Sequence, residues 1–222
     1  MRYAEWEPTY FEIIEDFGYS LAEDEKAAKT LSQLLRQPQR LENPEQWLTS
    51  MISGNNALII GPCISADEIE GELRRKDGND RQVVATVGEG TKNILKADIV
   101  PEIVVTDLDG FPDHDLQSSR KGSVAIIHAH GDNISSLETW TPKFKARVIP
   151  TCQCAPINEV YNWGGFTDGD RAFCIFKHFG AEKISLLGFD FRKLCGSKSV
   201  DNAIKKKKLQ WAEKIIEQLS RQ

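Results

Sequence analysis

The chain lacks most of the features that would place it among secreted, membrane-bound or zinc-stabilised proteins. Its five cysteines (Cys63, Cys152, Cys154, Cys174 and Cys195) are odd in number, scattered and never spaced as Cys-x-x-Cys. That argues against a disulfide framework and a structural zinc site, and leads to the expectation of free thiols in a reducing cytosol. Cys152-x-Cys154 is only a weak metal signal. No apolar run is long enough to span a bilayer, and the start, with Trp6-Glu7-Pro8 and Asp16, has no signal-peptide pattern. The expectation is a soluble, cytoplasmic protein without a membrane partner. Lys and Arg (28) are outnumbered by Asp and Glu (33), giving a net charge of −5; this speaks against a broad nucleic-acid surface, which needs clustered cations. Internal repeats and low-complexity tracts are absent.

What is present divides into two regions. Residues 1–50 read as helical, with Phe11, Ile14, Phe17 and Leu21 at three- and four-residue spacing, continued by Leu31, Leu34 and Leu35 and broken by Pro38 and Pro44. Residues 51–222 alternate short β-branched runs with helical stretches, the signature of βαβ units and a mostly parallel open sheet with flanking helices, Rossmann-like in plan. Strands are expected near Leu58-Gly61, Val83-Val87, Ile103-Thr106, Val124-His128, Arg147-Ile149 and Ile184-Leu187. Ser65-Ala66-Asp67-Glu68 and Thr167-Asp168-Gly169-Asp170 have capping-box form and open helices. In the last helix Lys205 and Lys208 extend the stripe of Leu209, Ala212, Ile216 and Leu219 toward its N-terminus.

Three acid-bearing stretches are each expected where an apolar strand runs out: Thr106-Asp107-Leu108-Asp109-Gly110, His128-Ala129-His130-Gly131-Asp132-Asn133 and Thr167-Asp168-Gly169-Asp170-Arg171. In an open α/β sheet ligands bind beyond the carboxyl ends of the strands. Residues two apart on an extended segment point the same way, so Asp107 with Asp109, and His128 with His130, can converge on one point. Such a set suits a divalent metal bridging phosphates. Gly61 and Ser65, at a strand-turn-helix junction, are candidates to present backbone N–H groups to a phosphate, and Lys205 and Lys208 would face the same crevice as point charges.

Each signal has a plainer reading. Asp-x-Asp-Gly is also turn chemistry, and Thr167 with Asp170 can cap a helix without a ligand. His128-x-His130-x-Asp132 resembles a binuclear zinc hydrolase segment, but the chain has four histidines in all, with His114 in a polar loop and His178 inside a helix, too few for such a site. Trp163-Gly164-Gly165-Phe166 could stack on a flat heterocycle or simply pack, and Val87-Gly88-Glu89-Gly90-Thr91 is a weak phosphate-loop pattern.

Together these motifs resemble the archaeal 6-hydroxymethyl-7,8-dihydropterin pyrophosphokinases of the MptE-like type, which are similar in plan to thiamin pyrophosphokinases. The likeness rests on Val104 to Gly110, His128 to Asn133, Gly165 to Ala172, Leu187-Gly188-Phe189-Asp190-Phe191 and the closing helix with Lys205 and Lys208. The resemblance implies Mg²⁺-dependent transfer of pyrophosphate from ATP to a reduced pterin, releasing AMP, in folate or methanopterin biosynthesis. It places Asp107, Asp109 and Asp168 on the metal. Donors to the phosphates and acceptor would be His128, His130, Asn133, Thr167, Arg171, Lys205 and Lys208, with Asp132 a candidate base and Asp170 a secondary ligand. A homodimer is compatible with this reading. Alternatives are another acceptor such as thiamin, or a metal-dependent phosphoester hydrolase. The chain departs from the family at Thr86 to Gly90, where relatives commonly carry Asp-Gly, and at Cys63, which replaces a glycine.

Overall fold

A computed structural model describes residues 1–74, 82–195 and 202–221. Six strands form one parallel sheet: β1 (Asn56–Ile60), β2 (Gln82–Val87), β3 (Ile103–Thr106), β4 (Val124–Ala129), β5 (Val148–Cys152) and β6 (Lys183–Leu187), in the order β5-β4-β3-β2-β1-β6. The strands are nearly continuous apolar runs because both faces of the sheet are covered. Alternate residues of β1 therefore enter different cores: Ala57 and Ile59 join the larger one, while Leu58 and Ile60 join a smaller one with Ile69, Val84 and Ile94. Helices α4 (Ala66–Arg74), α5 (Glu89–Lys96) and α6 (Pro112–Arg120) lie side by side. Helix α7 (Ile134–Trp140) follows β4; α8 (Asp168–His178) crosses β1, β2, β3 and β6, and α9 (Asn202–Ser220) lies on α8.

The N-terminal region is three helices, α1 (Tyr3–Phe17), α2 (Leu21–Leu34) and α3 (Pro44–Ile52). Its apolar spacing ran on through a break at Gly18, which ends α1 at φ +68°, a conformation glycine adopts at little cost. Ser20 then caps α2 by accepting from the Glu23 N–H at 3.4 Å. Trp6, Tyr10, Ala28, Leu31 and Leu48 belong to the same core cluster as the sheet, so residue 50 marks a change of element type without interrupting the core. Strand β5 extends past the expected Ile149 because Pro150 is tolerated at the sheet edge, where its carbonyl accepts from the Tyr161 N–H at 2.9 Å. None of the described helices is long and apolar enough to cross a membrane.

Candidate active site

The chain turns sharply after β3. Leu108 takes φ +64° although it is not glycine, and burial of its side chain (1% exposed) offsets the cost of that conformation, of the order of 1 kcal/mol. The turn is tied internally: the Asp109 N–H donates to Asp107 Oδ1 at 2.9 Å, and the Leu108 N–H donates to Thr106 Oγ1 at 3.0 Å. The Thr106 hydroxyl in turn donates to buried Asp115 Oδ2 at 2.7 Å. Both site carboxylates are thereby turned to one side, each 3.8 Å from His130 Nε2. Donor atoms of Asp107, Asp109 and His130 all lie within 4.8 Å of one another. Sequence reasoning gave His130 to phosphate; here it stands with the acids.

The segment after β4 is held by Asn133. Its side-chain N–H groups donate to the carbonyls of Asp107 (2.8 Å) and His128 (2.7 Å), and its oxygen accepts from the His130 N–H at 3.0 Å. Fully buried, Asn133 has these groups committed to joining the β3 and β4 ends, in place of the ligand contact expected of it. His128 is buried as well, and its Nε2 lies 3.0 Å from an Arg171 N–H. Burial, and then the Arg171 charge, push its pKa well below the usual imidazole range, so His128 is neutral. Asp132 is exposed at the cavity rim.

The third acidic stretch does not end a strand: β5 stops at Cys152, and a loop leads to the start of α8. There Thr167 and Asp170 form the capping box: the backbone N–H groups of Phe166 and Thr167 and the Thr167 hydroxyl all donate to the Asp170 carboxylate. Arg171 was expected on a phosphate. It is 1% exposed, does not line the cavity, and donates to the carbonyls of Cys152, Gly164 and Gly165 besides His128. A guanidinium's fixed fork suits this bracing of three backbone carbonyls. Asp168, by contrast, keeps a buried Oδ1 with no hydrogen-bond partner. Burial first, then the charges of Asp107, Asp115 and Asp109, push its carboxyl well above the usual range. Asp109 is raised by burial and by Asp107. Burial would raise Asp107 too, but His130 beside it holds that carboxyl below its ordinary value.

Asp107, Asp109, His128, His130, Asp132 and Asp168 line a cavity of about 760 Å³ at the carboxyl ends of the strands, within the size range of substrate pockets. Lys205 and Lys208 enter it from α9; Lys208 Nζ lies 5.7 Å from the Phe166 ring centre and 5.8 Å from that of Tyr19. Gly61 and Ser65 do not line it. A Cβ on Gly61 would stand 2.7 Å from the Gly188 carbonyl oxygen and 2.9 Å from the Phe189 ring, so the close approach that requires glycine is to the loop after β6. The Ser65 hydroxyl is engaged with Glu68 at 2.6 Å in the capping box of α4. Trp163 packs on Tyr161 and Phe179, while its neighbour Phe166 lines the cavity.

The cysteine expectation is corrected as well. Cys63 and Cys195 form a disulfide across 132 residues of chain, with both residues in the cavity wall; Cys152, Cys154 and Cys174 are free and buried. Their separation in sequence concealed the pairing, which the parallel ends of β1 and β6 bring about. Asp24, Gln153 and Asp115 also escaped the sequence reading. Asp24 carried a legible signal: it falls at the spacing of Ala27, Ala28 and Leu31, a charge on the inward face of α2.

Residues 33–194 match the family model described as 6-hydroxymethylpterin diphosphokinase MptE-like. Three curated relatives, each named 6-hydroxymethyl-7,8-dihydropterin pyrophosphokinase, match nearly end to end. The Pyrococcus furiosus protein is 37% identical over 227 aligned positions, covering 99% of this chain and 94% of the relative. The Methanocaldococcus jannaschii protein is 35% identical, covering 99% and 96%, and that of Methanothermobacter thermautotrophicus 31%, covering 97% and 94%. A sheet whose acidic strand ends meet in one cavity, and a match across nearly the whole chain, lead to one conclusion: the protein belongs to the MptE-like 6-hydroxymethylpterin diphosphokinase family.

Proposed function

We propose that this chain transfers a pyrophosphoryl group from ATP to the hydroxymethyl oxygen of 6-hydroxymethyl-7,8-dihydropterin, releasing AMP, with Mg²⁺ as cofactor. The names of its relatives support the acceptor. The observation that carries the reading is one cavity lined by Asp107, Asp109, Asp168, Lys205 and Lys208, in which Asp107 and Asp109 converge with His130 and the Asp107 charge bears on Asp168. The donor set fits a hard cation: Asp168 has an orphaned buried oxygen, and after burial the Asp107 charge raises both Asp109 and Asp168, a repulsion that a bound cation relieves. Asp107, Asp109 and Asp168 would hold the ion, which when bound supplies charge stabilisation to the phosphates.

In this reaction the hydroxymethyl oxygen forms a bond to the β-phosphorus as the bond from that phosphorus to the bridging oxygen of AMP breaks. The work of the chain is to align the two substrates and to place donors around the phosphates. Lys208 and Lys205, whose Nζ here donates to the Cys195 carbonyl at 3.3 Å, supply cationic donors, and His130 a further N–H beside the acids. Asp132, exposed at the rim, is the candidate acceptor of the hydroxyl proton. The hydrolase alternative based on His128, His130 and Asp132 draws no support from the geometry, because His128 Nε2 is engaged by Arg171 and His130 stands with Asp107 and Asp109.

Incubation with ATP, Mg²⁺ and the reduced pterin should yield AMP and the pterin diphosphate in equal amounts. AMP formed only with thiamin would reassign the acceptor, and ADP would exclude pyrophosphoryl transfer. Calorimetric titration of Mg²⁺ with a non-hydrolysable ATP analogue should show a binding heat that is lost in Asp168→Asn.

A further inference from the structure

Beneath the turn between α1 and α2, the cavity floor carries buried polar groups that the phosphate chemistry does not use. Asp24 and Gln153 are each 3% exposed and His128 2%, yet all three line the cavity. Asp24 is fixed by three donors: the Tyr10 hydroxyl (2.7 Å) and Gln153 Nε2 (2.8 Å) on Oδ2, and the Gly131 N–H (2.7 Å) on Oδ1. A carboxylate has about four lone-pair directions, so one remains. Gln153 is held at both ends, its side-chain nitrogen by Asp24 and its backbone carbonyl by Trp6 Nε1 at 3.0 Å. With one amide N–H spent on Asp24, its side-chain oxygen remains as an acceptor. The Arg171 guanidinium can only donate, so the His128 nitrogen it meets, Nε2, is the acceptor and the proton resides on Nδ1. That Nδ1 is buried and makes no hydrogen bond of normal geometry, although the Gln153 side chain lies near enough to favour the ring's protonation. A buried unpaired donor is costly, and one on a residue that lines a cavity is a candidate ligand contact.

Resting on the functional reading above, we infer that Asp24, Gln153 and His128 form the acceptor subsite and read the 2-amino-4-oxopyrimidine edge of the pterin. Toward a ring edge the row offers two acceptors, the Asp24 carboxylate and the Gln153 side-chain oxygen, and a donor, His128 Nδ1–H, with the second Gln153 amide N–H left over. That pyrimidine edge offers the complement: two donors, the 2-amino group and N3–H, and one acceptor, the 4-oxo oxygen. Adenine's amino edge presents one donor and one acceptor, which would leave a buried acceptor unmatched. Tyr19 and Phe166, with ring centres 6.4 Å apart, line the same cavity and supply apolar surface for a flat ring. The pyrimidine edge and the hydroxymethyl group lie at opposite ends of the fused ring. Anchoring the first on the floor therefore directs the second toward His130, whose ring centre is 5.7 Å from that of His128, and the acids beyond it.

The test is a fluorescence titration with 6-hydroxymethylpterin, its 2-oxo counterpart 6-hydroxymethyllumazine, and a non-hydrolysable ATP analogue. Wild type should bind the pterin at least about tenfold more tightly than the lumazine, the effect of one lost buried hydrogen bond, and the gap should shrink in Asp24→Asn. Gln153→Leu should weaken the pterin by about tenfold or more and leave the ATP analogue within about twofold. Equal affinities of wild type for pterin and lumazine would overturn the assignment without any variant. So would a folded Gln153→Leu that binds pterin normally, or one that loses the nucleotide analogue instead. Wild type that binds the ATP analogue but neither pterin nor lumazine would remove the functional reading itself, and the subsite with it.

Discussion

Single side chains at this site differ in whether their polar atoms are free. Asp107 and Asp109 project from a turn whose backbone is already satisfied, so Asp107→Asn or Asp109→Asn should leave the fold intact and lower kcat by about a hundredfold or more. Steady-state assay beside a far-UV spectrum checks both halves of that statement. Asp115 beneath them behaves differently. Burial, and more weakly Asp107, raise its pKa from the ordinary 3.8 to about 7. An acid raised in the folded state binds a proton that the unfolded chain releases, so its favourable contribution is complete below about pH 4 and lost as pH rises to about 7. Asp115→Asn cannot ionise. In EDTA it should be more stable than wild type above pH 7, by an amount on the order of a few kcal/mol, and its urea midpoint should fall less between pH 4 and 7. A slope identical to wild type would mean that Asp115 does not titrate in this range.

Among the elements, the β3 and β4 ends act as one unit through Asn133. Its side chain satisfies two carbonyls and one N–H across the two segments, and Asn133→Ala would leave all three without that partner. We expect a loss of about 2–5 kcal/mol in urea unfolding, together with reduced activity, because Asp107 and His130 are the residues whose backbones it holds. The sequence made the strands, the capping boxes and the acidic ends legible, since each is set by neighbours within a few residues. Asn133 and Arg171 were not legible in their actual roles. A polar residue near a strand end reads as a ligand donor until the fold shows which carbonyls compete for it, and for Arg171 those belong to Cys152, Gly164 and Gly165.

Across the whole molecule, the cavity closes only because distant segments meet. The Gly18-Tyr19-Ser20 turn, the β3, β4 and β5 ends, the α8 start and the α9 lysines all contribute wall, and the Cys63–Cys195 disulfide ties two of its segments. Alkylation of the unfolded, unreduced protein should label three cysteines. Reduction should lower stability by about 2–4 kcal/mol, the usual effect of closing a long loop, seen as a lower Tm with reductant; five labelled cysteines before reduction would show the bridge is not formed.

By itself the sequence determined the parallel α/β plan, the two acidic strand ends and the capped start of α8, because apolar periodicity, capping boxes and Asp-Gly turns act over a few residues. Only the tertiary structure decided which polar groups face the cavity. Asp24, Gln153, Cys63 and Cys195 were brought there, while Asn133, Arg171 and Gly61 were committed to holding the walls. The physical reason is that a buried donor or acceptor takes whichever partner packing brings within about 3 Å, and those partners lie far away along the chain.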